Sequence, residues 1–71
     1  MTKASFFRKL VNLGIDITMI CWEESLRDDV FCIFENNGKW KVYYQERGNK
    51  YDIMYFKSES DALVYLLNKL T

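Results

Sequence analysis

Trp40-Lys41-Val42-Tyr43-Tyr44-Gln45-Glu46-Arg47-Gly48 is the stretch that decides the fold. From Lys39 to Glu46, Trp40, Val42 and Tyr44 fall on one side, and Lys39, Lys41, Tyr43 and Gln45 on the other. That alternation is a strand with one dry face, because successive side chains on a strand point to opposite sides. The strand stops at a charged Glu-Arg-Gly corner. On its N-terminal side, Asn36-Asn37-Gly38 reads as a hairpin turn, since Asn and Gly accept the positive φ values such turns need. The partner strand is then Val30-Phe31-Cys32-Ile33-Phe34. On the C-terminal side, Arg47-Gly48-Asn49-Lys50 makes the next turn, and Tyr51 to Phe56 the last strand.

Two amphipathic helices flank these strands. The first spans Lys3 to Leu13, with Thr2 or Ser5 as its cap. Phe6, Leu10 and Leu13 recur at helical spacing, with Phe7 and Val11 beside them, and Gly14 is the stop. The second starts at Ser58, which caps Asp61 in a variant of the capping box. Ala62, Leu63, Leu66, Leu67 and Leu70 form its buried stripe. Between the first helix and the strands, Ile15, Ile17, Met19 and Cys21 alternate, as in a short strand or a turn into an irregular loop. Glu23 to Asp29 is a polar, acidic loop. The order predicts an α+β fold: an antiparallel meander of three or four strands, with an N-terminal and a C-terminal helix on one face.

Residues 38–70 carry a resemblance. Small immunity proteins of bacterial polymorphic-toxin and contact-dependent inhibition systems show a Trp-x-Val-Tyr-Tyr-x-Glu-Arg-Gly strand, then Phe, then Ser-Glu-x-x-Ala, then Tyr-Leu. Here these read Trp40 to Gly48, Phe56, Ser58-Glu59-Ser60-Asp61-Ala62 and Tyr65-Leu66. The chain resembles that family, and the resemblance implies a protein that binds and neutralises a cognate toxin domain without catalysis.

Size and composition set bounds on any function. Seventy-one residues make a single domain, 1–71. A chain this short buries only about 60% of its unfolded surface, so its core is small. Ten basic and ten acidic residues cancel, so no overall field draws the chain to nucleic acid or membrane. No stretch reaches the ~20 apolar residues that span a bilayer. Arg8 and Lys9 interrupt any signal-peptide core, which points to a cytoplasmic protein. Two cysteines, Cys21 and Cys32, with no histidine make neither a disulfide framework nor a zinc site. They read as small buried hydrophobes. Without histidine they also lack the ordinary base that activates a thiol, so the expectation is no enzyme, no cofactor and no metal.

Two surfaces remain as candidates for partner binding. The strands Val30–Phe34 and Tyr51–Phe56 are apolar on both sides, so two helices leave an uncovered surplus beside Tyr43. A partner, a second copy of the chain, or the segment Ile15–Asp29 must cover it. Arg47 projects toward a partner there, or ties the strand end to its neighbours. The second surface is the loop Glu23-Glu24-Ser25-Leu26-Arg27-Asp28-Asp29, with four carboxylates against one arginine. Glu23, Glu24, Asp28 and Asp29 are either a solvated edge or a match for a basic site, such as the phosphate-binding groove of a nuclease toxin. Trp22 beside them is either an interface anchor or core.

Two other classes compete. Helix–three strands–helix is also the order of a double-stranded-RNA-binding domain, with Lys39, Lys41, Arg47, Lys50 and Tyr43 as a platform. The acidic start of the second helix opposes phosphate, which makes nucleic acid the lesser choice. The other class is a small oligomeric accessory protein, including a homodimer.

Overall fold

A computed structural model describes residues 1–71. The elements are α1 (Lys3–Asn12), a 3-10 turn (Ile17–Met19), β1 (Ile20–Cys21), β2 (Val30–Asn36), β3 (Lys39–Glu46), β4 (Asn49–Phe56) and α2 (Glu59–Leu70). The strands form one sheet in the order β1-β2-β3-β4. The α+β class and the placing of both helices on one face follow the sequence reading.

β2 and β3 pair antiparallel along their full length, from Val30 opposite Gln45 to Asn36 opposite Lys39. Asn37 and Gly38 both take positive φ, 54° and 81°. That is the pattern of a two-residue turn whose twist matches the strands it joins. Arg47 and Gly48 repeat it at 52° and 77°, so the second turn is two residues long and β4 starts at Asn49 rather than Tyr51. In β4 the register breaks between the partners of Val42 and Tyr44, and Asp52 there has a φ of 54°. This bulge inserts one extra residue and bends the edge strand.

The ambiguous stretch before the acidic loop resolves into two short pieces. Asp16 accepts from the Thr18 N–H and hydroxyl at 2.9 and 2.7 Å and caps the 3-10 turn. Those bonds hold its carboxyl below the ordinary carboxylate range. Ile20 and Cys21 then pair with Phe31 and Cys32 in parallel. The sheet is therefore a three-stranded antiparallel meander with a parallel fourth strand, not a meander throughout. The cause is the direction of the loop: residues 22–29 carry the chain back along the sheet, so β2 leaves the way β1 did.

The main core lies between the sheet and the helices. Phe6 and Leu10 of α1, Ala62, Leu63 and Leu66 of α2, and Ile20, Ile33 and Val42 of the sheet form one buried cluster. Trp40 and Phe56 pack against it half-buried. The first helix buries less than its pattern predicts. Val11 and Leu13 are 66% and 57% exposed, because the short helix touches its neighbours along only one stripe. Thr2 and Ser5 close a reciprocal capping box on α1. Ser58 accepts from the Asp61 N–H at 3.1 Å on α2, and Asp61 makes no return bond. No helix is long and apolar enough to cross a membrane.

Candidate partner-binding surface

The second face of the sheet carries no helix, yet its centre is dry. Cys21, Val30, Cys32 and Tyr43 form a second buried cluster, with Phe34 packed against it. The acidic loop supplies the cover. Arg27 donates from Nη2 to the Thr18 carbonyl at 3.2 Å and from Nη1 to Cys21 Sγ at 3.7 Å. The Gly48 N–H donates to Asp28 Oδ1 at 3.2 Å, and the Tyr44 hydroxyl donates to Asp29 Oδ1 at 3.3 Å. Lys50 Nζ stands 3.7 Å from Glu24 Oε1. The loop is thus fastened to β1 on one side and to the β3–β4 turn on the other. Of the three covers the sequence allowed for the surplus apolar face, the chain's own loop takes the central part.

This corrects the placing of Tyr43, which was expected on an open face. It is 1% exposed. Its ring meets Phe34 edge-on at 6.0 Å, and Lys41 and Lys50 lie 5.4 and 5.5 Å from its centroid. Its hydroxyl is buried without a hydrogen-bond partner, and so is Oε1 of the neighbouring Gln45. Burial pushes the Tyr43 phenol well up, and the adjoining Cys32 thiol and the Glu24 charge add to this. Burial likewise raises the Cys32 thiol. Both shifts follow from removing solvent from a group that ionises to an anion.

Trp22 turns to the helix side. Its ring lies 5.2 Å from Phe7 and 6.0 Å, edge-on, from Phe6, with Lys3 Nζ 4.2 Å above it. Alternation explains this: Ile20 faces the helices, Cys21 faces the loop, and Trp22 faces the helices again. Trp22 therefore anchors the base of the loop against α1 and does not stand among the carboxylates.

The four carboxylates divide into two pairs. Asp28 and Asp29 are exposed but spend an oxygen each on the β3–β4 end, and Asp29 sits at a φ of 59°. The charge of Asp29 adds to desolvation in raising the Tyr44 phenol. Glu23 has no partner, and Glu24 has only the loose pair with Lys50. Arg27 is occupied at the loop's base, so its charge does not answer Glu23 or Glu24 at the crest.

Between them the sequence reading missed one residue. Leu26 is 91% exposed, the highest value among the large exposed hydrophobics. The Arg27 N–H donates to Ser25 Oγ at 3.1 Å, a bond that spans Leu26 and fixes the backbone on either side of it. A single leucine in an acidic run was the available signal. Arg47 is exposed in the neighbouring turn, next to the glycine that binds Asp28. The site brought together is Glu23, Glu24 and Leu26 at the crest, with Asp28, Asp29 and Arg47 along one flank.

The rest of the surface offers shallow features. A narrow, mostly apolar slot of about 20 Å³ opens among Phe31, Val42, Tyr44, Tyr65 and Lys69, and an open shelf lies beside Asn36, Lys39 and Tyr55. No group of three or more Cys, Asp or Glu side chains is placed to hold a metal ion. No family model, no curated protein and no solved structure matches this chain.

Proposed function

We propose that this chain is an immunity protein, which binds a cognate toxin domain and blocks it without catalysis. The observation that carries the reading furthest is the loop: fastened at both ends, it presents the exposed Leu26 with Glu23 and Glu24 beside it. Preorganised loops bind well because little ordering entropy remains to be lost. An apolar tip flanked by carboxylates fits a hydrophobic notch rimmed by lysine or arginine, as in a nuclease that grips phosphates. Opposite fields also speed encounter. A toxin that acts inside the cell sets the cytoplasm as the place of work. The Trp40–Gly48 resemblance supports the same reading from the other half of the chain.

The test starts at the neighbouring reading frame: a large secreted protein encoded immediately upstream is the toxin the reading calls for, and its C-terminal domain is co-expressed with the chain. The chain should restore growth and co-purify with that domain. Leu26→Ser with Glu23→Gln should lose protection while the fold persists. Growth arrest unrelieved by the wild-type chain sinks the reading.

One feature favours a second reading. Lys41 Nζ lies 5.9 Å from the Tyr55 ring centroid, and Lys39 and Lys50 flank that open edge, as a weak single-stranded RNA platform requires. The aromatic expected at its centre, Tyr43, is buried, which is why this reading ranks second. RNA binding that falls steeply with salt would restore it.

A further inference from the structure

Cys21 and Cys32 are direct register partners in the parallel β1–β2 pair. In-register neighbours send their side chains to one face, and both thiols belong to the same buried cluster under the loop. Both are free. Neighbouring strands lie ~4.8 Å apart. A disulfide spans Cα separations of about 4.4–6.8 Å. The Cα separation is within reach of a disulfide, and closing the bond asks only that the two side chains lean together.

We propose that Cys21 and Cys32 are a redox-modification site, at which a low-molecular-weight disulfide such as oxidised glutathione drives a reversible bond that closes the base of the acidic loop. The chemistry balances in two exchanges. The Cys21 thiol gives its proton to solvent, and its sulfur attacks one sulfur of the glutathione disulfide. That S–S bond breaks, and one glutathione thiolate leaves. Cys32 then gives up its proton, attacks Cys21 Sγ and expels the second glutathione thiolate. The two protein thiols lose two electrons, and the glutathione disulfide gains them.

The structure also orders the steps. Cys21 is 9% exposed and Cys32 is sealed, so Cys21 is met first and Cys32 resolves. The Arg27 guanidinium, 3.7 Å from Cys21 Sγ, puts a positive charge beside the sulfur where negative charge develops. Burial raises the Cys32 thiol, with the adjacent Cys21 thiol a lesser cause, so the resolving step quickens as pH rises. Strand spacing is wide for the ~3.5–4.5 Å that disulfide Cβ atoms prefer, which makes the bond easily reduced. Trp22, Glu23, Glu24, Leu26, Asp28 and Asp29 all lie between the two cysteines. Oxidation turns the candidate binding loop into a closed ring. That consequence rests on the proposed function; the bond itself does not.

The experiment treats the purified full chain with oxidised glutathione at mildly alkaline pH, then digests it with trypsin without reductant. Trypsin cuts after Lys9, Arg27 and Lys39, so the expected product is Leu10–Arg27 joined to Asp28–Lys39. Intact mass should show the loss of two hydrogens from a monomer, reversed by dithiothreitol. In Cys32→Ser the reaction should stop at a glutathione adduct on Cys21. The site is refuted if wild-type chain keeps two alkylatable thiols after unfolding, or gives only glutathione adducts or intermolecular dimers. Oxidised and reduced chain are then compared on the cognate toxin domain that the proposed function requires. Slower dissociation of the oxidised form supports the coupling to the loop. Equal dissociation, with the linked peptides present, removes the coupling and leaves the bond standing.

Discussion

The two faces of the sheet are sealed by different means. On the helix side, α1 and α2 bring Phe6, Leu10, Ala62, Leu63 and Leu66, all fully buried. A helix satisfies its own backbone, so it can offer an apolar stripe with nothing left over. On the other side, a polar loop is the cover. It contributes few apolar atoms, and its carboxylates and arginine make the bonds that hold it down. Two polar atoms beneath it, Tyr43 Oη and Gln45 Oε1, are left without partners. An orphaned buried polar group costs about 1–3 kcal/mol. On these grounds the helix side should contribute more of the stability, while the loop side carries the candidate binding surface.

The comparison can be broken first at the helix side. Leu63→Ala should cost about 2–5 kcal/mol, and Cys32→Ala on the loop side about 1 kcal/mol. Urea unfolding of both variants measures the ratio. Equal losses would mean that the two cores contribute alike.

The next effect is one of opposite sign. Tyr43→Phe removes a buried hydroxyl that has no partner, so it should stabilise by about 1 kcal/mol at neutral pH. A clear loss of stability would show that the hydroxyl is bonded. The same variant tests the alkaline limb. Tyr43 and Cys32 hold their protons more tightly when folded, above their ordinary values of 10.0 and 9.0. Below about pH 9 both states keep these protons, and the stability is fully present. As pH rises further, the unfolded chain ionises first and stability falls. Tyr43→Phe should flatten that fall in melting temperature against pH.

The smallest expected effects divide the carboxylates. Asp28→Ala should cost about 0.5–1.5 kcal/mol, because the Gly48 N–H loses its acceptor. Glu23→Gln with Glu24→Gln should change stability by no more than about 0.5 kcal/mol, since both are exposed. Thermal melts of the two variants check the split.

The sequence made the helix side legible and the loop side much less so. Alternation in Trp40–Tyr44, the Asn37-Gly38 turn and the stripe Ala62-Leu63-Leu66 are periodic signals, and each maps to one packed element. β1 was blurred because two residues are too few to show a period. The bulge at Asp52 has no pattern of its own. Tyr43 misled because its neighbours Lys41 and Gln45 are polar, and what buries it is a loop distant in sequence. Glu23 and Glu24 were legible as a charge cluster. Their separation from Asp28 and Asp29 depends on hydrogen bonds to Gly48 and Tyr44, which no spacing rule foretells. Trp22 looked like an interface anchor until its strand parity was known, and Leu26 is visible only by its exposure.

The association rate with the cognate toxin domain that the proposed function requires tests the central claim most directly. It is measured for wild type and for Glu23→Gln/Glu24→Gln at low and at high salt. The account predicts faster association of the wild type at low salt, a difference that shrinks as salt screens it, and matching melting temperatures. Equal rates at low salt, with both proteins folded, would contradict it.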